Sequence, residues 1–275
     1  MRATAQGTQL PSFWDSGCQV VTIYTNGYTG MTADEIAKSV AAAAHAWSPE
    51  TVTCPDSTGD GGTGHPSFEI ITQLASGGPV PTVGPDGKNV LIFQTETWDH
   101  YGEAIALTSR NTDPSGRIFD ADIEVNATGT WAWANLDPNS SGHLSESYDL
   151  QTALTHEFGH FLGLGHTCFS PYDQPPHPVD DQGQLTPNCS DSVTEQVAAA
   201  VMWFEVDKDS TAKRVLTADD ARGVCAIYPP DAPPATCAAN LPDDGCGCRT
   251  GGTGAGTGAA LLAVAALVTS RRRRR

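Results

Sequence analysis

The stretch His156-Glu157-Phe158-Gly159-His160-Phe161-Leu162-Gly163-Leu164-Gly165-His166 holds three imidazoles, one carboxylate and a turn glycine at spacings that suit one metal ion. His156 and His160 are four residues apart, so on a helix they share a face, one turn apart. Two neutral imidazoles so placed can bind one Zn²⁺ at about 2.0–2.1 Å each. Glu157 follows the first histidine and can reach a water beside the metal without ligating it. Gly163 lets the chain leave the helix through a left-handed conformation, which costs glycine little, and the turn returns His166 as third ligand. Three protein ligands leave a fourth position open, as in a catalytic rather than a structural zinc site. Five fixed residues at these spacings arise by chance in roughly one chain in 10⁵ of this length. The residues before the motif, Tyr148 to Thr155, carry apolar side chains at helical spacing, with Asp149 as the N-cap.

The eleven-residue motif resembles the zinc signature of the metzincin metallopeptidases, and two further blocks narrow the likeness to the matrixin branch. Ile105-Ala106-Leu107 through Asp120-Ala121-Asp122-Ile123-Glu124-Val125-Asn126 is similar to the matrixin strand pair that precedes the zinc helix. Leu216 through Pro229 is similar to the C-terminal helix of that catalytic domain. Thr167 stands where matrixins usually carry serine. The resemblance covers residues 13–230 and implies an α+β fold: a twisted mixed β-sheet, a long early helix, an active-site zinc helix and a C-terminal helix. It also implies a zinc endopeptidase, with His156, His160 and His166 as ligands and Glu157 as general base. An extended peptide substrate would lie along a strand edge near Gly102–Leu107.

The same pattern asks for a methionine in a turn beneath the zinc. Met202 is the only one of the three methionines downstream of the zinc helix, which makes Val201-Met202-Trp203 the candidate Met-turn. A buried thioether that merely packs the core would look the same. Trp203-Phe204-Glu205 replaces the Tyr-Pro-like sequence that usually follows and walls the substrate pocket. The stretch from His166 to Met202 is longer than in matrixins. It contains Cys168, Cys189, a proline-rich run from Pro171 to Pro178 and a helix-like stretch from Asp191 to Ala200. It reads as an insertion stapled by Cys168–Cys189 and placed to shape the pocket beyond the scissile bond. His177 within it is expected to be solvent-exposed rather than a ligand.

Eight cysteines, none in a Cys-x-x-Cys pair, fit an oxidising compartment and exclude a zinc ribbon. Cys18 and Cys54 flank the first helical segment and form the expected disulfide, while the connectivity of Cys168, Cys189, Cys225 and Cys237 stays open. Residues 1–245 carry nine basic against 32 acidic residues, a net −23, because six of the fifteen basic residues follow residue 245. Such a surface repels nucleic acid. Asp120, Asp122 and Glu124 are the first candidates for structural calcium, with a solvated strand face as the equal alternative.

Along the chain, Trp14 to Tyr28 reads as an opening strand region rich in β-formers. Thr32-Ala33-Asp34-Glu35 is a capping box that starts a helix through Trp47. Gly59 to Gly64 and Ser76 to Gly87 are turn-rich, and Val90-Leu91-Ile92-Phe93 is a strand. Residues 1–12 form a lead, 13–230 the catalytic domain, 231–249 a Pro/Gly/Cys linker, 250–270 an uncharged stretch and 271–275 an arginine cluster. Twenty uncharged residues suffice to span a bilayer as a helix, with the arginines cytoplasmic. The order of cysteine motif, apolar stretch and arginines resembles the C-terminal sorting tail of exported myxobacterial proteins. It implies an exported, monomeric, surface or extracellular protein whose tail is removed or anchored through Cys246 or Cys248. Met1 to Gly7 has no apolar core, so no secretory signal peptide is visible. The rival reading is a surface-anchored zinc protein that binds or adheres with little hydrolysis. Glu157 separates the two, since a site without chemistry has no need of its base.

Overall fold

The computed structural model describes residues 10–55, 62, 64–100, 104–129, 131–138, 146–170, 177, 179–180 and 184–230, and the backbone of 261–269. In chain order the strands are β1 (Phe13–Trp14), β2 (Cys18–Tyr24), β3 (Glu69–Leu74), β4 (Val90–Gln94), β5 (Ala104–Thr112), β6 (Arg117–Asn126), β7 (Trp133–Ala134), β8 (Tyr148–Asp149), β9 (Glu205–Val206) and β10 (Leu261–Thr269). The helices are α1 (Ala33–His45), α2 (Leu150–Phe161), α3 (Glu195–Ala199) and α4 (Ala218–Ile227), with a 3-10 turn at Ala212–Arg214. Strands run in the order β3-β2-β4-β6-β5-β10-β9 through one mixed sheet, with β1 also paired to β6. β2, β3, β4 and β6 are mutually parallel, whereas β5 is antiparallel to β6. The expected mixed sheet with an early helix, a histidine-bearing helix and a C-terminal helix is therefore present. β3 has no counterpart in the sequence reading. Its Glu69-Ile70-Ile71-Thr72 run is short and only half-buried at an edge, so it lacks the apolar continuity that marked β4.

Local chemistry fixes the helix starts. Thr32 caps α1 reciprocally with Glu35: Thr32 N donates to Glu35 Oε2 at 2.8 Å, and Glu35 N donates to Thr32 Oγ1 at 3.2 Å. Asp149 caps α2 through Thr152 N at 2.8 Å. Thr217 and Asp220 form the same reciprocal box at α4. α1 packs on α2, and Trp47 Nε1 donates to Thr155 O at 2.8 Å, bolting the exit of α1 to the middle of α2. The stretch expected to be helical from Asp191 to Ala200 narrows to the single turn and a half of α3, capped by Thr194.

Three expectations need correction. Cys54 bonds Cys225, not Cys18, joining the segment after α1 to α4 across 171 residues. Cys18 instead opens β2 opposite Glu69 and is disulfide-bonded elsewhere. The partner of Cys54 lies on α4, 171 residues along the chain, and positions flanking one helix do not reveal so distant a pairing. The Cys168–Cys189 bridge forms as expected. The second correction concerns the tail: no helix of the described residues is long and apolar enough to cross a membrane, and Leu261–Thr269 is a strand. It pairs antiparallel along β5, from Leu261 opposite Thr112 to Val268 opposite Ala104, and its last two residues run parallel to β9. Eight apolar residues of leucine, alanine and valine followed by a threonine are ambiguous between helix and strand, and the free edge of β5 decides for strand. The remainder of the tail, with Cys246, Cys248 and the arginines, lies outside the described residues, as do residues 171–176 and 178 of the proline-rich run. Third, His177 is half-buried and stacks on Phe169, ring centroids 4.3 Å apart, instead of standing free in solvent.

Candidate active site

α2 carries His156, Glu157 and His160, all buried, on a helix with no exposed residue past Gln151. At its end Gly163 takes φ +98°, the left-handed region that glycine alone enters freely, and a Cβ there would also strike the carbonyl of Ser12. The chain turns back and His166 meets the two helical histidines. His160 Nε2 lies 3.1 Å from His166 Nε2, and His166 Nε2 lies 3.2 Å from His156 Nε2. His156 Nδ1 contacts Val201 O at 2.7 Å and His160 Nδ1 contacts Leu164 O at 2.9 Å. A carbonyl only accepts, so both Nδ1 atoms carry the proton, and each Nε2 turns a lone pair toward the centre. Three such nitrogens facing one another have a shared cation as their natural partner. Ligands of a tetrahedral zinc at about 2.0–2.1 Å stand about 3.3 Å apart, which matches the observed spacing. Among the described residues this is the one group of three or more His, Cys, Asp or Glu poised to hold a metal ion.

Burial drives His156 and His160 well below the ordinary histidine range, and the positive neighbours add to this. His166 is pushed down to about 4, first by burial and then by the charges of Lys213 and Arg110. The three imidazoles are thus held neutral, the form that ligates.

Carbonyls at and just past the C-terminus of α2 accept from side-chain donors drawn from distant parts of the chain. Trp14 Nε1 donates to Phe161 O at 2.9 Å, and Tyr228 Oη donates to Leu162 O at 2.8 Å. Arg110 Nη1 donates to His160 O at 2.7 Å and to Leu164 O at 3.4 Å. Arg110 is buried on β5, and its charge also complements the negative end of the helix dipole. Burial lowers its pKa to about 10.

Glu157 sits with its carboxylate wholly buried. Thr108 Oγ1 on β5 donates to Oε2 at 2.6 Å and lies 3.1 Å from the main-chain oxygen of the same residue, while Oε1 has no hydrogen-bond partner. Burial pushes Glu157 up to about 8, against the Thr108 hydrogen bond and the charge of Arg110. A dication held by the triad would pull it down again.

Met202 packs beneath the helix, 1 % exposed. A Cβ on Gly159 would collide with Met202 Sδ and crowd Trp47, so the glycine inside the motif is there to seat the thioether. The turn itself is held by Asp220 of α4, which accepts Val201 N at 3.0 Å and Met202 N at 3.1 Å. Met202 O in turn accepts Thr167 N at 3.0 Å. Thr108, Arg110, Asp220 and Lys213 are the contributors that motif spacing did not reveal. Each lies far from the histidines in sequence, and only strand pairing and helix packing bring them in.

The acidic trio Asp120, Asp122 and Glu124 is engaged by protein donors. Asp120 accepts Gly87 N and Asn111 Nδ2, Asp122 accepts Gly84 N and Val90 N, and Glu124 accepts Gln94 Nε2 and contacts His100 Nε2. These bonds tie the turn before β4 to β6, and no calcium cage follows from them.

No protein-family model and no curated protein matches the chain. Among solved structures it is similar to high choriolytic enzyme 1, a hatching enzyme zinc-protease from the medaka fish Oryzias latipes, over 82 % of this chain and 98 % of that one. Sequence identity is 10 % and the TM-score 0.34, a likeness too slight to assign fold or function.

Proposed function

We propose that the chain is a zinc-dependent endopeptidase in which His156, His160 and His166 hold the metal and Glu157 is the general base. The reading rests on three converging Nε2 atoms and, on the same helix as two of them, a buried carboxylate with one unpartnered oxygen. Bound zinc would supply Lewis acidity, lowering the pKa of water toward about 7 and polarising a peptide carbonyl. Glu157 takes the proton of the attacking water on Oε1 and returns it to the leaving amine. Val201 O and Leu164 O fix the tautomer of the two helical histidines and strengthen them as ligands. Met202 supports the floor of the site and, on this reading, is its Met-turn.

The substrate is an extended peptide that adds to the edge of β5 by main-chain hydrogen bonds. That edge takes an antiparallel strand in the structure, Leu261–Thr269, so a peptide bound there replaces the tail. The disulfides support a site of action outside the cytosol, where the substrates would be extracellular proteins or peptides.

The test is zinc content and cleavage of a peptide library by the wild type and Glu157→Gln. The variant should keep one zinc and lose nearly all cleavage. A variant as active as the wild type removes Glu157 from the chemistry. A wild type that binds zinc and cuts nothing favours the rival, a zinc-containing binding protein.

A further inference from the structure

The two oxygens of the Glu157 carboxylate have different surroundings. Oε2 is held by Thr108 Oγ1 at 2.6 Å, and Oε1, equally buried, has no partner. A carboxylate on a flexible side chain that follows His156 on the same helix has an alternative, which is to turn and join the three histidines as a fourth ligand. That would close the open position. Something must hold the side chain back, and the candidates within reach are few. Arg110 acts on Glu157 only through its charge, its Nη1 being committed to His160 O and Leu164 O. Thr108 makes the one hydrogen bond to the carboxylate among the described residues.

We infer that Thr108 is the positioning residue for the base: its hydroxyl anchors Oε2 and thereby leaves Oε1 as the oxygen that faces the metal site. This rests on the proposed peptidase reading for its meaning and on the geometry of β5 for its substance. The hydroxyl touches both ends of Glu157, the carboxylate at 2.6 Å and the main-chain oxygen at 3.1 Å. It therefore registers the side chain against its own backbone. Thr108 is buried, so no water competes for the contact. Threonine is stiff about χ1, more so in a strand than serine would be, which holds the hydroxyl where the carboxylate needs it. Its neighbour on the same face of β5, Arg110, grips the end of α2. Strand and helix are thus locked in register at two points, and Thr108 transmits that register to the reacting carboxylate. Because β5 is also the edge along which Leu261–Thr269 pairs, with Ala265 opposite Thr108, the anchor of the base lies on the strand that a peptide would join.

The experiment compares Thr108→Val, which keeps shape and removes the hydroxyl, with Thr108→Ser, which restores it. Thr108→Val should keep one zinc and leave KM within about twofold, while kcat falls by about 10²-fold, the loss expected of a misplaced reacting group. Thr108→Ser should recover most of kcat. Crystal structures of the metal-free and zinc-loaded Val variant give a readout that does not depend on turnover: the Glu157 carboxylate should leave its present orientation. Thermal unfolding of each variant excludes a folding defect. An unchanged carboxylate in the Val variant, or a kcat equal to the wild type, overturns the assignment. If the wild type itself cleaves no peptide, the peptidase reading fails, and the carboxylate's position in the Val variant still decides whether Thr108 holds it.

Discussion

Asp220 Oδ1 accepts the main-chain N–H of Met202 at 3.1 Å, so the C-terminal helix holds the turn that lies under the histidines. Its other oxygen takes Val201 N at 3.0 Å, Thr217 N at 2.8 Å and Thr217 Oγ1 at 2.7 Å. One buried carboxylate therefore starts α4 and seats the turn. Asp220→Ala orphans two buried N–H groups and a third that is half-buried, and should cost about 3–5 kcal/mol, read from urea unfolding. Loss of less than about 1 kcal/mol would show that water replaces the carboxylate.

Removal of the metal should weaken the fold as well as the chemistry. At free zinc a thousandfold above Kd, binding to the native state alone adds about 4 kcal/mol. A chelator should lower the melting temperature accordingly, and His160→Ala should abolish the zinc-dependent part of that shift. A melting temperature indifferent to zinc and chelator would mean that the triad holds no ion.

Pairing of β10 with β5 predicts competition for the edge. Successive residues of a strand point their N–H groups to opposite sides, so the double change Val264→Pro/Ala265→Pro removes one N–H facing β5 whichever register applies. In the full chain this should raise peptide cleavage several-fold and speed amide hydrogen exchange along β5. Equal cleavage and unchanged exchange would show that Leu261–Thr269 does not guard the edge.

Asp122 predicts a pH dependence with a definite sign. Burial raises its pKa to about 7, outweighing the bonds from Gly84 N and Val90 N. The folded state then holds a proton between about pH 4 and 7 that the unfolded chain releases. This contribution is fully present below pH 4 and lost as pH rises through 7. From pH 5 to pH 8 the wild type should lose about 1–3 kcal/mol more than Asp122→Asn, measured by denaturant titration. Parallel curves for the two proteins would rule the effect out.

The legible parts of this molecule were local. His156, His160 and Gly163 could be placed from helical spacing and one turn, and the caps at Thr32 and Asp149 from side chains three residues away from the groups they serve. Cys168–Cys189 spans 21 residues and was one pairing that the sequence suggested without fixing, whereas Cys54–Cys225 spans 171 and was not suggested at all. Thr108 and Arg110 looked like ordinary strand residues, because nothing in a strand's own pattern tells which helix will lie across it. Leu261–Thr269 had the composition of a membrane segment or a buried strand, and the neighbouring edge, not the segment, settled which.

The Cys54–Cys225 bond encloses the zinc-motif helix, the Met202 turn and the long insertion in a single covalent ring. If the chain is the peptidase proposed above, concentrated solution exposes it to cutting by its own copies. Any single backbone nick between residues 54 and 225 opens that ring into a linear chain without releasing a fragment. Such a molecule would run as one species on a gel until reduced and then fall into two. The same crosslink that pins α4 thus keeps the two pieces of a nicked chain together across the segment that holds the histidine triad.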